Sequence, residues 1–247
     1  MGPAVVLEAW WAKHHFHLAG EPAGERSGLE LPSPASRDPS GAVTPRPLSM
    51  AVFGDSMAVG CGVDDQSLGL VPDIARDLAE AVGRPVQWET HGRLGATIRR
   101  VRYRLLPAFA RHADLVVLCA GSNDIMAGRT LTSWEDDLAA SVTLAGEKGD
   151  RVVVLSSGQL YRNRRLGRAL RSQVETMIDR QTEVSKRVCQ EAGVCYIDAT
   201  HDDVGTDRED FWGSDGFHPS EIGYRKLAAC VVGKMPKRLL ADLAALD

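Results

Sequence analysis

Apolar positions along the chain follow two different rhythms. From Leu48 onward, short runs rich in β-branched residues recur at 49–53, 85–89, 115–119, 151–155 and 194–197. These runs are continuous rather than alternating, the pattern of strands buried on both faces. Between them, apolar residues recur at helical spacing over 70–82, 96–111, 133–148, 164–192 and 220–243. Strands alternating with helices predict a five-stranded parallel sheet covered on both faces. The expected fold is an α/β protein, a three-layer α/β/α sandwich over residues 48–243, with no internal repeat.

The pattern breaks down before residue 48. Seven of the 12 prolines lie at or before Pro47, and residues 20–47 are rich in Pro, Gly, Ser, Ala and Glu. Such a stretch buries too little surface to offset its ordering entropy, so it predicts a linker or a tail on the surface. The chain therefore divides into an N-terminal segment, 1–47, and a domain, 48–247. Residues 4–12 predict a short amphipathic helix that docks on the domain, or one that makes a weak membrane-surface contact. That stretch is too short for a secretory h-region, contains Glu8 and lacks a basic flank, so a cytoplasmic location is expected. His14, His15 and His17 have no Cys or carboxylate companion and read as solvated rather than metal-binding.

Composition narrows the function classes. The chain has 247 residues, 25% charged and 44% hydrophobic, with a net charge of −4. That balance argues against an electrostatic nucleic-acid partner. No run approaches the roughly 18 apolar residues of a membrane span. The five cysteines fall at wide spacings that make no disulfide framework, and they fit buried thiols in a reducing compartment.

In open parallel sheets ligands bind beyond the carboxyl ends of the strands, so the segments there carry the chemistry. Gly54-Asp55-Ser56-Met57 follows the first run and places a hydroxyl where it can face a crevice. His91-Gly92-Arg93-Leu94-Gly95-Ala96-Thr97 follows the second, and its glycines let a backbone N–H approach a ligand. Gly121-Ser122-Asn123-Asp124 follows the third and offers an amide that can donate to a developing oxyanion. Asp215-Gly216-Phe217-His218-Pro219 precedes the last helix. There an Asp three residues before a His can fix one ring nitrogen and free the other as a base. Each segment alone is also an ordinary turn.

Taken together, in this order, the four segments resemble the SGNH hydrolases, the GDSL esterase and lipase family, over residues 49–243. Met57 stands where Leu is usual. The resemblance implies the flavodoxin-like sandwich of that family and a serine ester hydrolase needing no metal or organic cofactor. It implies Ser56 as nucleophile, His218 as base and Asp215 as its orienting acid. The implied oxyanion hole comprises the Ser56 N–H, the Gly95 N–H and the Asn123 side chain, with Gly92 the alternative second-block glycine. An α/β-hydrolase, the rival fold, needs a mid-chain Gly-x-Ser-x-Gly elbow, and here Ala58 fills the last position.

The expected partner is a small acyl ester. Met57, Ile125, Met126, Tyr161, Phe211, Trp212 and Phe217 are the loop side chains nearest the predicted crevice, and they favour a short to medium acyl group. Arg162, Arg164, Arg165, Arg168 and Arg171 read either as a solvated helix face or as a reception for an anionic leaving group such as a phosphate-bearing thiol. An acyltransferase or thioesterase on the same triad, and a binding module without turnover, are the alternative functions. The sequence leaves the oligomeric state open.

Overall fold

The computed structural model describes residues 2–34 and 46–246. Its six strands are β1 (Ser27–Glu30), β2 (Leu48–Gly54), β3 (Val86–Gly92), β4 (Ala113–Cys119), β5 (Gly149–Leu155) and β6 (Cys195–Ile197). They form one sheet in the order β1-β3-β2-β4-β5-β6, parallel throughout except for β1. After the edge strand β1 the chain enters the middle of the sheet at β2 and winds outward both ways, so β2 and β4 are central and their carboxyl ends meet at the topological switch point.

Alternation along the strands divides two cores. Met50, Val52, Val117 and Val153 face α2 (Leu70–Val82), meeting Ile74 and Leu78 there, and Leu227 and Val231 on a later helix. Ala51, Phe53, Val116 and Val154 face the opposite way, against Ile98, Leu138, Val142 and Val188. The helices on that second side are α3 (residues 98–108), α4 (Ser122–Met126), α5 (Leu131–Gly146) and α6 (Arg168–Glu191). The chain closes with α7 (Glu221–Gly233) and α8 (Lys237–Ala244), back on the first side.

Two expected helices are interrupted, and proline accounts for both. The run expected over 96–111 passes through a π-turn at Val101–Leu105, where Leu106 donates to Val101, five residues back. Pro107 follows and has no N–H to continue the regular ladder. The run expected over 220–243 splits at Pro236, whose extended backbone starts α8 in a new direction.

The N-terminal segment departs most from expectation. Residues 3–15 do form a helix, α1 (Pro3–His15), which docks through buried Val5 and Ala12. Its Glu8 carboxylate accepts the Leu170 N–H at the start of α6 at 2.7 Å. Val6, Leu7, Trp10 and Trp11 face outward, with Trp10 58% exposed. His14 and His15 bond the Trp10 and Trp11 carbonyls at 2.7 and 2.8 Å. Residues 20–34 are not a linker: β1 pairs antiparallel with β3, Ser27 against Glu89 through Glu30 against Val86. This adds the sixth strand to the expected five. The rest of the expected linker, 35–45, lies outside the described residues. Because β1 covers the edge of β3, deleting residues 1–34 is expected to lower the melting temperature by about 5 °C or more. Calorimetry of the truncated chain checks this.

Candidate active site

Close backbone approach shapes the first strand end. Gly54 closes β2 beside Gly92 of β3, and a Cβ on Gly54 would collide with the Cys119 carbonyl. The Asp55 N–H donates to that carbonyl at 3.1 Å, which turns the chain and leaves Ser56 at the sheet's edge. Ser56 is 9% exposed, and that opening faces a cavity. At the end of β4, Gly121 has φ +146 and lies tight against Ser157, so only glycine fits there. Asn123 then projects from the first turn of α4 into the same cavity.

The loop before α7 is built around one carboxylate. Asp215 Oδ1 accepts the N–H groups of Phe217 and His218 at 2.8 and 2.9 Å. Its Oδ2 lies 2.7 Å from His218 Nδ1 and accepts the Ala19 N–H at 2.9 Å. Burial alone would raise the Asp215 pKa. The His218 ring and the three backbone N–H groups overcome it and hold the carboxyl well below its ordinary range. His218 is 3% exposed and lines the same cavity as Ser56 and Asn123. Among the described residues no hydrogen bond joins Ser56 to His218; in unliganded sites such contacts commonly tighten only when substrate binds.

Asn123 Nδ2 donates to the Ala96 carbonyl at 3.1 Å and to Asp55 Oδ2 at 3.3 Å. Gly95 stands in the neighbouring turn with φ +75, exposed and outside the cavity lining. Gly92, the alternative, is buried against Val59 at the end of β3. Of the residues expected to touch an acyl group, Met57, Met126, Phe211, Trp212 and Phe217 line the cavity. Ile125 and Tyr161 do not. Both turn away into a separate cluster with Val174 and Ile178, where the Tyr161 hydroxyl donates to the Thr200 carbonyl at 3.1 Å. In their place Leu70, Leu155, Ile197, Leu227 and Val231 wall the cavity, which has a volume of about 110 Å3.

Several residues that hold the site were given no role by the sequence. Asp124 Oδ2 accepts the Ile98 N–H at 2.9 Å and so ties α4 to the start of α3. Glu21 Oε1 accepts the Leu94 N–H at 2.7 Å, beside Gly95. Glu21 is partly buried, which raises its pKa, but the Leu94 N–H and Arg26 outweigh this and hold it below the ordinary range. Phe16 packs on Phe217 with ring centroids 5.6 Å apart. The N-terminal segment thus grips both the Gly95 turn and the Asp215 loop. Glu21→Ala leaves the Leu94 N–H without its acceptor and lets the Gly95 turn shift. The expected result is a drop in kcat of about tenfold with KM nearly unchanged, read from steady-state kinetics.

Asp55 is 2% exposed. Burial, reinforced by Asp124, pushes its pKa up from 3.8 to about 6, against the opposing pull of the Met57 N–H, His218 and Asn123. Between these two pH values the native state holds a proton that the unfolded chain has released, so stability falls as pH rises from about 4 to 6. Asp124 and Asp73, each raised to about 6 chiefly by burial, add in the same sense. Asp55→Asn removes this titration, so the stability of the variant relative to the parent is expected to rise between pH 4.5 and pH 7. The substitution is also expected to lower kcat, because an amide cannot accept from both Met57 and Asn123. Denaturant titrations at the two pH values, beside kinetics, check the pair.

The GDSL-like lipase/acylhydrolase family model matches residues 52–226. The chain belongs to this family. It is a GDSL-type hydrolase on an α/β fold, and its β1 and the Ala19–Glu21 contacts lie before the matched region. Among solved structures it is similar to a lipase/acylhydrolase from Enterococcus faecalis, at 24% identity and TM-score 0.58, covering 77% of this chain and 96% of that one. It is similar to TesA at 22% identity and TM-score 0.60, covering 77% and 99%. A variant of an acetyl xylan esterase from Geobacillus stearothermophilus aligns at 18% identity and TM-score 0.54, covering 74% and 92%. A search of curated proteins gives no match. Among the described residues, no helix is long and apolar enough to cross a membrane.

Proposed function

We propose that this GDSL-family hydrolase is a serine esterase that cleaves carboxylic esters of short to medium acyl chains through an acyl-enzyme. The observation that carries the reading is the buried Asp215–His218 pair, 2.7 Å apart, in one cavity with Ser56. Asp215 accepts from Nδ1, so Nε2 is the nitrogen left to take the Ser56 proton as Oγ attacks the carbonyl carbon. The Ser56 N–H and the Asn123 amide stabilise the resulting oxyanion, and the Gly95 N–H, outside the cavity lining in the unliganded protein, joins them when its turn moves in on bound substrate. Collapse breaks the bond to the leaving group, which receives the proton from His218. Water, deprotonated by the same nitrogen, then releases the acid and restores Ser56. The apolar walls of the cavity, Leu70, Leu155, Ile197, Leu227 and Val231, suit an alkyl chain better than a sugar.

A fluorophosphonate probe and a series of nitrophenyl esters from acetyl to octanoyl test this reading. The expected result is stoichiometric labelling of Ser56 and a rate that passes through a maximum with chain length. A protein that neither labels nor turns over any ester would be a binding module. Acylated alcohol as the main product, when an alcohol is added, would make it a transferase.

A further inference from the structure

Beside the cavity that holds Ser56 lies a second, open groove of about 500 Å3. Thr206 lines both, and the 158–162 loop runs between them. Arg162, Arg164, Arg168 and Arg171 converge on this groove from two sources. Arg162 ends a short helical turn, Leu160–Arg162, and Arg164 sits in the loop after it, whereas Arg168 and Arg171 belong to the first turn of α6. Their meeting is thus not the periodicity of one solvated helix face.

None of the four guanidinium groups lies in an ion pair with a carboxylate among the described residues. Arg162 is held in place by its bonds to the Tyr161 hydroxyl and the His201 carbonyl, both 3.1 Å. Arg171 Nε is buried without a partner. Glu175 and Asp207 also line the groove, and His201 Nε2 is taken by Asp179 at 2.8 Å. Four arginines against two carboxylates leave the groove positive, while the N-terminus of α6 is already met by the Glu8 carboxylate. Arginine forks on a partly desolvated wall match the bidentate geometry of phosphate oxygens.

We propose that this groove binds phosphate on the leaving-group side of the substrate. The acyl donor is then an ester or thioester whose alcohol or thiol carries phosphate. Its chain lies along Leu70, Leu227 and Val231, its carbonyl sits at Ser56 and its phosphate meets the arginines. The inference rests on the acyl-enzyme reading of Ser56. In the step it concerns, the Ser56 Oγ–carbon bond forms, the carbon–sulfur or carbon–oxygen bond breaks, and His218 returns the proton to the departing thiol or alcohol.

Two measurements test the groove, one of them independent of turnover. Butyryl-4′-phosphopantetheine and butyryl-pantetheine share one thioester and differ only in a phosphate. The ratio of their kcat/KM values is expected to exceed tenfold in favour of the phosphorylated compound, to reside in KM and to shrink with added salt. In an Arg164→Glu, Arg168→Glu double variant, both changes being at exposed positions, that ratio is expected to fall to one or below. A ratio near one in the unaltered protein overturns the proposal. So does a ratio that the double variant leaves intact. Calorimetric titration with pyrophosphate is expected to show saturable binding that the double variant loses, and no binding overturns the proposal even where turnover is found. Pyrophosphate binding in a protein that cleaves neither thioester nor any nitrophenyl ester would instead sink the acyl-enzyme reading.

Discussion

Replacing Ser56 by alanine is expected to lower kcat for ester hydrolysis by about 10⁴-fold or more, leaving the residual rate that binding and the oxyanion donors sustain on their own. The serines around the cavity separate this one from its neighbours. Ser122 Oγ donates to the Ser157 carbonyl and Ser157 Oγ to Gln181. Ser156 Oγ accepts the Ala199 N–H at 3.1 Å. Those three hydroxyls hold loops together, whereas the Ser56 hydroxyl has no such bond among the described residues and lies in the cavity with His218. Removing it leaves no buried partner unsatisfied, so the melting temperature is expected to stay within about 2 °C of the parent. Circular dichroism and active-site labelling accompany the kinetics. A folded variant that keeps more than a few per cent of the activity would move the nucleophile elsewhere.

The central sheet was legible because burial on both faces writes itself into composition. The β4 run is buried from end to end, and the sequence there is almost wholly apolar. The edge strand β1 left no such trace. Ser27–Glu30 alternates between exposed and half-buried positions in a Pro- and Gly-rich stretch, and only the open edge of β3 makes it a strand. The polar residues gathered at the strand ends were readable for a related reason. Ser56 and Asn123 follow directly on apolar strands, where a polar side chain has few structural uses, and Asp215 and His218 share one short loop. Apolar residues near the site carry no such information. Ile125 and Tyr161 look the same in sequence whether they face the cavity or the cluster with Val174, and the fold chose the cluster. Leu70, Leu227 and Val231 look like ordinary core. The Ala19 contact is made by a backbone N–H, which any residue except proline supplies.

The second large effect is expected from Asp215→Asn, and it should exceed that of Asn123→Ala. Asn123 donates to charge that exists only in the transition state, so its loss is expected to lower kcat by about 10²–10³-fold with KM nearly unchanged. Asp215 acts throughout the cycle. Its Oδ1 takes two N–H groups of its own loop, and its Oδ2 takes the Ala19 N–H and the His218 ring. An asparagine must place its NH2 group against one of these donor pairs. With the amide oxygen kept on the Phe217 and His218 N–H groups, the NH2 faces both Ala19 and Nδ1. The imidazole can relieve this conflict only by moving its proton to Nε2, the nitrogen that has to accept from Ser56. The expected loss in kcat is therefore about 10³–10⁴-fold. The turned-over tautomer also has a spectroscopic signature: the Nδ1 proton resonance of His218 is expected to be lost in the variant. Kinetics at saturating ester and proton NMR of the two proteins check both statements. A variant within tenfold of the parent, with that resonance retained, would leave Asp215 a purely structural residue.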